Sequence, residues 1–208
     1  MAVSGPWPVI HAERAALADD LADLTEEQWS TPSLCTQWSV WETLGHMTAT
    51  AKMTPLTFVT KLVGAGLRFE TFAAKNVAAE TRGTPADTLA EFRSVLTSTS
   101  APPGPVDSWL GETIVHAEDI RRPLGIDHSY PMDAVVRAAD FYKGSNLLIG
   151  TKNRIAGLSL RATDTAWTIG EGPEVAGPML SLLLAMTGRA AGLDALTGEG
   201  VDTLRERM

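Results

Sequence analysis

The stretch GETIVHAEDIRRPLG, residues 111–125, decides how the chain is read. Glu112 and His116 stand four residues apart, so in a helix of 3.6 residues per turn both side chains leave the same face. Pro123 and Gly125 stop that helix. Upstream, the loop SAPPGP at residues 100–105 precedes a helix start near Asp107. The pair has two readings. It is an ion pair on a solvated face, or it is part of a metal site that takes a third ligand from another helix.

Outward from this helix the periodicity is mostly helical. VIHAERAALADDLADL (9–24) places Ile10, Ala15, Leu17, Leu21 and Leu24 on one stripe. TEEQWSTPSLCTQWS (25–39) reads as a loop, marked by Pro32 and clustered Ser and Thr. SVWETLGHMTATAKM (39–53) opens with a capping box, Ser39 as N-cap and Glu42 at the third helical position, and Pro55 ends or bends that helix. Amphipathic stretches follow at 67–79 and after Pro85, the latter carrying Leu89, Phe92, Val95 and Leu96. MDAVVRAADFYKG (132–144) is a further helix. The texture then changes: Leu158, Leu160 and Ala162 alternate with polar residues, as in a strand or hairpin. PEVAGPMLSLLLAMTGRAAG (173–192) returns to helical spacing, and the tail TGEGVDTLRERM (197–208) reads as one last short helix. The expected organisation is a mainly α chain, a helical bundle over residues 1–145 with a small α/β appendage over 146–208, without repeats.

Composition narrows the function classes. The 208 residues are 44% hydrophobic and 20% charged, as in a globular protein with a sizeable core. A net charge of −8, from 17 basic and 25 acidic residues, repels phosphate backbones, so no nucleic-acid partner is expected. Apolar runs such as LSLLLAM are too short to span a bilayer, and the first residues lack the pattern of a signal peptide, so no membrane partner and a cytoplasmic location are expected. The single cysteine, Cys35, allows no internal disulfide and no zinc ribbon. It stands in a Ser/Thr loop without a basic neighbour in sequence and reads as a small apolar residue. The chain carries no signal for an oligomeric state.

Four histidines are available: His11, His46, His116 and His128. His11 and His128 read as solvent-exposed. His46 lies among Trp38, Trp41, Leu44 and Met47 and is either a buried neutral imidazole or a ligand. Because Glu42 caps its own helix, His46 is left to point elsewhere. Together, His46, Glu112 and His116 would make two imidazoles and one carboxylate, a set that leaves coordination positions open, as catalytic zinc sites do. Two helices of a bundle can supply it. Asp119, three residues past His116, is within reach of the second ring nitrogen, although Arg121 or Arg122 could equally pair with it. Arg189, at the end of a C-terminal helix, reads as a helix-end cation or as an anchor for a substrate carboxylate. No G-x-S-x-G elbow, P-loop or G-x-G-x-x-G is present.

Three segments carry a resemblance. LTEEQWSTPSLCTQWSVWETLGHM (24–47) resembles the N-terminal signature of the mycothiol-dependent maleylpyruvate isomerase family, within the DinB-like four-helix superfamily. ETIVHAEDIRRPLG (112–125) resembles that family's second ligand segment, and LRATDTAWTIGEGPEVAGPMLSLLLAMTGR (160–189) its C-terminal segment. The resemblance implies a DinB-like four-helix bundle with His46, Glu112 and His116 as ligands of zinc or another divalent metal. It further implies mycothiol or a similar low-molecular-weight thiol as cosubstrate, and isomerisation or S-transfer on a small electrophile. A metal-dependent hydrolase of small molecules or thiol conjugates, and a non-catalytic metal-binding module, are the alternatives. The C-terminal part is expected to be shorter than the α/β domain of the full isomerase.

Overall fold

The computed structural model describes residues 5–35, 37–147 and 149–208. In chain order these form α1 (Trp7–Asp20), α2 (Glu26–Trp29), α3 (Val40–Lys52), α4 (Pro55–Gly64), α5 (Phe69–Glu80), α6 (Pro85–Ser94), α7 (Val106–Arg121) and α8 (Met132–Tyr142). Then follow α9 (Thr151–Arg154), β1 (Ser159–Ala162), β2 (Thr168–Ile169), β3 (Glu174–Gly177), α10 (Met179–Met186) and α11 (Val201–Arg205). The fold is mainly α with one small sheet. Among the described residues no helix is long and apolar enough to cross a membrane.

Contacts divide the chain into two compact units, Met1–Trp109 with His116–His128, and Leu110–Val115 with Ser129–Met208. Helix α7 is continuous and belongs to both. The sequence reading drew its boundary at 145, whereas α8 groups with the second unit.

In the first unit α3 packs on α5 and α6, α1 on α6 and α4 on α5. Ile10, Leu17, Leu21, Val40, Leu44, Met47 and Phe92 are buried on the facing sides of these helices, and each such side chain contributes about 1.5–3 kcal/mol by leaving water. The Ser39 capping box forms as its sequence demands: the Glu42 amide donates to Ser39 Oγ (3.3 Å) and the Ser39 amide to Glu42 Oε2 (2.9 Å). Two details depart from the sequence reading. The segment read as a loop holds α2, capped reciprocally by Thr25 and Gln28. Pro55 does not merely stop α3; it begins α4 in the first turn, where its missing N–H costs nothing, with Thr54 as N-cap. Gly45 allows a close approach, since a Cβ there would lie 2.8 Å from Thr81 Cγ2 at the end of α5.

The second unit is built on a three-stranded sheet of order β2-β1-β3. β1 pairs antiparallel with β2 (Leu160 opposite Ile169) and parallel with β3 (Leu160 opposite Val175). The expected extended segment is therefore present, but the helix expected over 173–192 is not. Its first residues form β3, Pro178 ends the strand, and only Met179–Met186 is α-helical. The apolar run there is buried all round, with Leu182, Leu183 and Leu184 at 0% exposure, because α10 packs against α8 on one side and β1 and β3 on another.

Candidate metal centre

Three side chains meet at one place. His46 projects from the middle of α3, and Glu112 and His116 project from one face of α7. One ligand atom from each lies within 4.8 Å of the other two. The His46 and His116 rings stand edge to face, with centroids 4.8 Å apart. All three residues are half-buried, whereas their helix neighbours Met47, Thr113 and Ala117 are buried. The glycines preceding His46 and Glu112 face packed protein: a Cβ on Gly111 would lie 2.4 Å from Tyr142 Cε2. Gly45 and Gly111 thus let the two helices seat tightly on their rear faces while His46 and Glu112 project from another.

Donors 2.0–2.2 Å from a tetrahedral zinc stand roughly 3.4 Å apart. A spread of at most 4.8 Å lies within the reach of small rotations of these side chains, so the donor set fits a divalent cation. Two imidazoles and one carboxylate would leave part of the coordination sphere to other ligands.

The residues around the set orient it. His116 Nδ1 lies 2.9 Å from Asp119 Oδ2, and Asp119 has no solvent exposure. A carboxylate accepts but does not donate, so this contact favours the proton on Nδ1, and in the neutral ring Nε2 is then the nitrogen with the lone pair. Arg121 Nε donates to Asp20 Oδ2 (2.7 Å) and Arg122 Nε to Glu118 Oε2 (2.8 Å). Trp38 lies against His46 at a centroid distance of 4.7 Å. Its loop is tied down by the Ser33 amide, which donates to the Trp38 carbonyl (3.0 Å), and by the Leu34 amide, which donates to the Asp119 carbonyl (3.0 Å).

Within the second unit Tyr142 was not anticipated from sequence. It is 5% exposed. Burial pushes its phenol above the usual tyrosine range, the nearby Glu112 carboxylate pushes the same way, and the Arg189 guanidinium opposes both. Tyr142 therefore stays a neutral O–H at physiological pH, within the electrostatic reach of Glu112 and Arg189 alike. Arg189 itself is half-buried and donates from Nη1 to the Thr187 carbonyl (2.8 Å). Nothing in the helical pattern of DFYKG distinguishes Tyr142 from a core tyrosine; only the Gly111 contact identifies it.

Two sequence readings are corrected here, those of His128 and His11. His128 is paired with Glu13 at 2.7 Å with both side chains largely covered, and His11 Nε2 stands 3.3 Å from the Ser98 carbonyl, so neither is simply exposed. Cys35, read from sequence as a small apolar residue, has its Sγ within 4.8 Å of a His116 nitrogen and an Asp119 carboxylate oxygen, which lie as close to each other.

The chain is thus a mainly helical protein whose helices bring two histidines and a glutamate together in a group that could hold a metal ion. The chain belongs to the family described as mycothiol maleylpyruvate isomerase N-terminal domain, which matches residues 10–121. That match contains His46, Glu112, His116, Asp119 and Cys35. Its structure is similar to the crystal structure of a mycothiol-dependent maleylpyruvate isomerase (TM-score 0.61, 10% identity, 93% of this chain and 91% of that chain covered). It is equally similar to that of a histidine-to-alanine mutant of a mycothiol-dependent maleylpyruvate isomerase (TM-score 0.63, 12% identity, same coverage). A comparison with curated proteins gives no match.

Proposed function

We propose that the protein is a thiol-dependent enzyme in which His46, Glu112 and His116 hold zinc or another divalent cation. The cosubstrate would be a low-molecular-weight thiol such as mycothiol, and the reaction isomerisation or S-transfer on a small electrophile. The observation that carries this reading is the convergence of the three donors, together with the Asp119 contact at His116 Nδ1 that leaves Nε2 available as a ligand atom. When bound, such a cation lowers the pKa of a coordinated thiol and so supplies a thiolate near neutral pH.

The chain's own residues account for the rest. Asp119 fixes the His116 tautomer and ring plane. Trp38 covers one side of His46 and limits access of water. Arg189 is assigned the carboxylate of the acceptor or of the thiol, through paired N–H donors. Tyr142, kept neutral by burial, is a donor that does not compete with the anions. In isomerisation the thiolate sulfur adds to one carbon of a cis double bond conjugated to a carbonyl, and the displaced π pair moves onto the carbonyl oxygen as an enolate. The remaining single bond rotates, and expulsion of the same thiolate restores the double bond as trans. In S-transfer the new carbon–sulfur bond persists. The family membership and the fold support an isomerase of maleylpyruvate or a related cis-unsaturated acid as the first substrate to assay. A hydrolase would need a carboxylate or imidazole base beside the cation, whereas the Asp119 carboxylate lies against His116 Nδ1.

The test combines metal analysis with turnover. Purified protein should carry about one divalent cation per chain, and thiol-dependent consumption of maleylpyruvate or of an electrophile should vanish on chelation and return on adding zinc. Full activity without thiol would overturn the reading.

A further inference from the structure

We infer that Cys35, His116 and Asp119 form a second, sulfur-containing coordination set for a soft divalent cation, overlapping the first at His116. The three donor atoms lie within 4.8 Å of one another, the same tolerance met by His46, Glu112 and His116. All three residues belong to the first compact unit. The loop that carries Cys35 is held in register with α7: the Leu34 amide donates to the Asp119 carbonyl (3.0 Å), the Cys35 amide to Ser33 Oγ (3.1 Å) and the Trp38 amide to the Cys35 carbonyl (2.9 Å). Cys35 is half-buried, so a cation can reach it, while Asp119 is fully enclosed.

Charge separates the two sets. Glu112 with two neutral imidazoles leaves a divalent cation with one positive charge unbalanced, which favours an incoming anionic sulfur. A Cys35 thiolate with the Asp119 carboxylate balances the cation completely, so this set holds a metal without calling for a further anion. Thiolate also biases the set toward soft cations. A cation there takes the place of the proton between His116 Nδ1 and Asp119 Oδ2, now 2.9 Å apart, and so withdraws Asp119 from its orienting role. The second set is thus a holding site that draws on the same imidazole as the first.

The inference does not depend on the thiol reading, and the test keeps the two apart. Cadmium chloride is titrated into the metal-stripped full chain, and the ultraviolet charge-transfer band of a cadmium–thiolate bond is followed at two protein concentrations. The expected band saturates independently of protein concentration, persists in His46→Ala, which disables only the first set, and is lost in Cys35→Ser. In Asp119→Asn the half-saturating cadmium concentration should rise roughly tenfold or more. A wild-type protein without the band, or a band whose cadmium dependence is the same in Asp119→Asn and His116→Ala as in wild type, would overturn the inference, because Cys35 would then bind cadmium alone or not at all.

Discussion

Asp119 offers the sharpest single perturbation of the centre. It has no exposed surface, and its Oδ2 stands 2.9 Å from His116 Nδ1. A hydrogen bond to an ionised group contributes about 1.5–3 kcal/mol, roughly twice a neutral one. Asp119→Asn keeps the shape and removes the charge, so orientation of His116 should weaken by about 1–1.5 kcal/mol, or near tenfold in metal affinity. If the amide instead turns its NH2 toward Nδ1, the ring is driven to the tautomer that places its proton on Nε2, and the loss grows toward hundredfold. The assay is competition for zinc against a chromophoric chelator, run in a Cys35→Ser background so that the sulfur-containing set does not contribute. Unchanged zinc affinity in a variant with a native circular dichroism spectrum would refute the orienting role.

Other predictions test the supports of the site. Gly111→Ala forces a methyl to within 2.4 Å of the buried Tyr142 ring and should lower stability by about 1–3 kcal/mol, read as a reduced Tm; an unchanged Tm would mean that α7 does not pack on this ring as described. The raised phenol pKa of Tyr142 gives stability that is fully present below the unfolded tyrosine value of about 10 and is lost as pH rises above it. Tyr142→Phe should therefore flatten the alkaline limb of the stability profile, and an identical limb in both proteins would contradict the burial argument. Arg189→Ala should cut turnover of an anionic acceptor while leaving metal content intact; equal turnover would remove the anion-anchor role.

How much of this was legible in the sequence depended on distance along the chain. The Ser39–Glu42 box and the Glu112–His116 pair are local, and local geometry follows from helical spacing alone. Pro55 was harder, because the same residue that ends one helix is favoured in the first turn of the next, and only Thr54 and Thr57 distinguish the two outcomes. β3 was hidden for another reason: Val175 and Ala176 gain their pairing from β1 and from Thr197, outside any short window. Cys35 and His128 make the point for the site. Cys35 has no charged neighbour in sequence, yet its loop folds over the end of α7 beside His116, and the partner of His128 lies 115 residues earlier. Spacing along one helix finds the Glu112–His116 pair and the Asp119 contact three residues on, whereas the approach of His46 and of Cys35 to His116 is set by tertiary contacts.

The measurement that bears most directly on the centre uses cobalt as a visible substitute for the proposed cation. Cobalt(II) loaded into the Cys35→Ser protein should give the d–d spectrum of a low-coordinate site, absent in His46→Ala, Glu112→Gln and His116→Ala. Adding a low-molecular-weight thiol should then produce a sulfur-to-cobalt charge-transfer band, because the set formed by His46, Glu112 and His116 leaves room for one more ligand. A cobalt spectrum that is indifferent to thiol, or that survives loss of His46, would contradict the account.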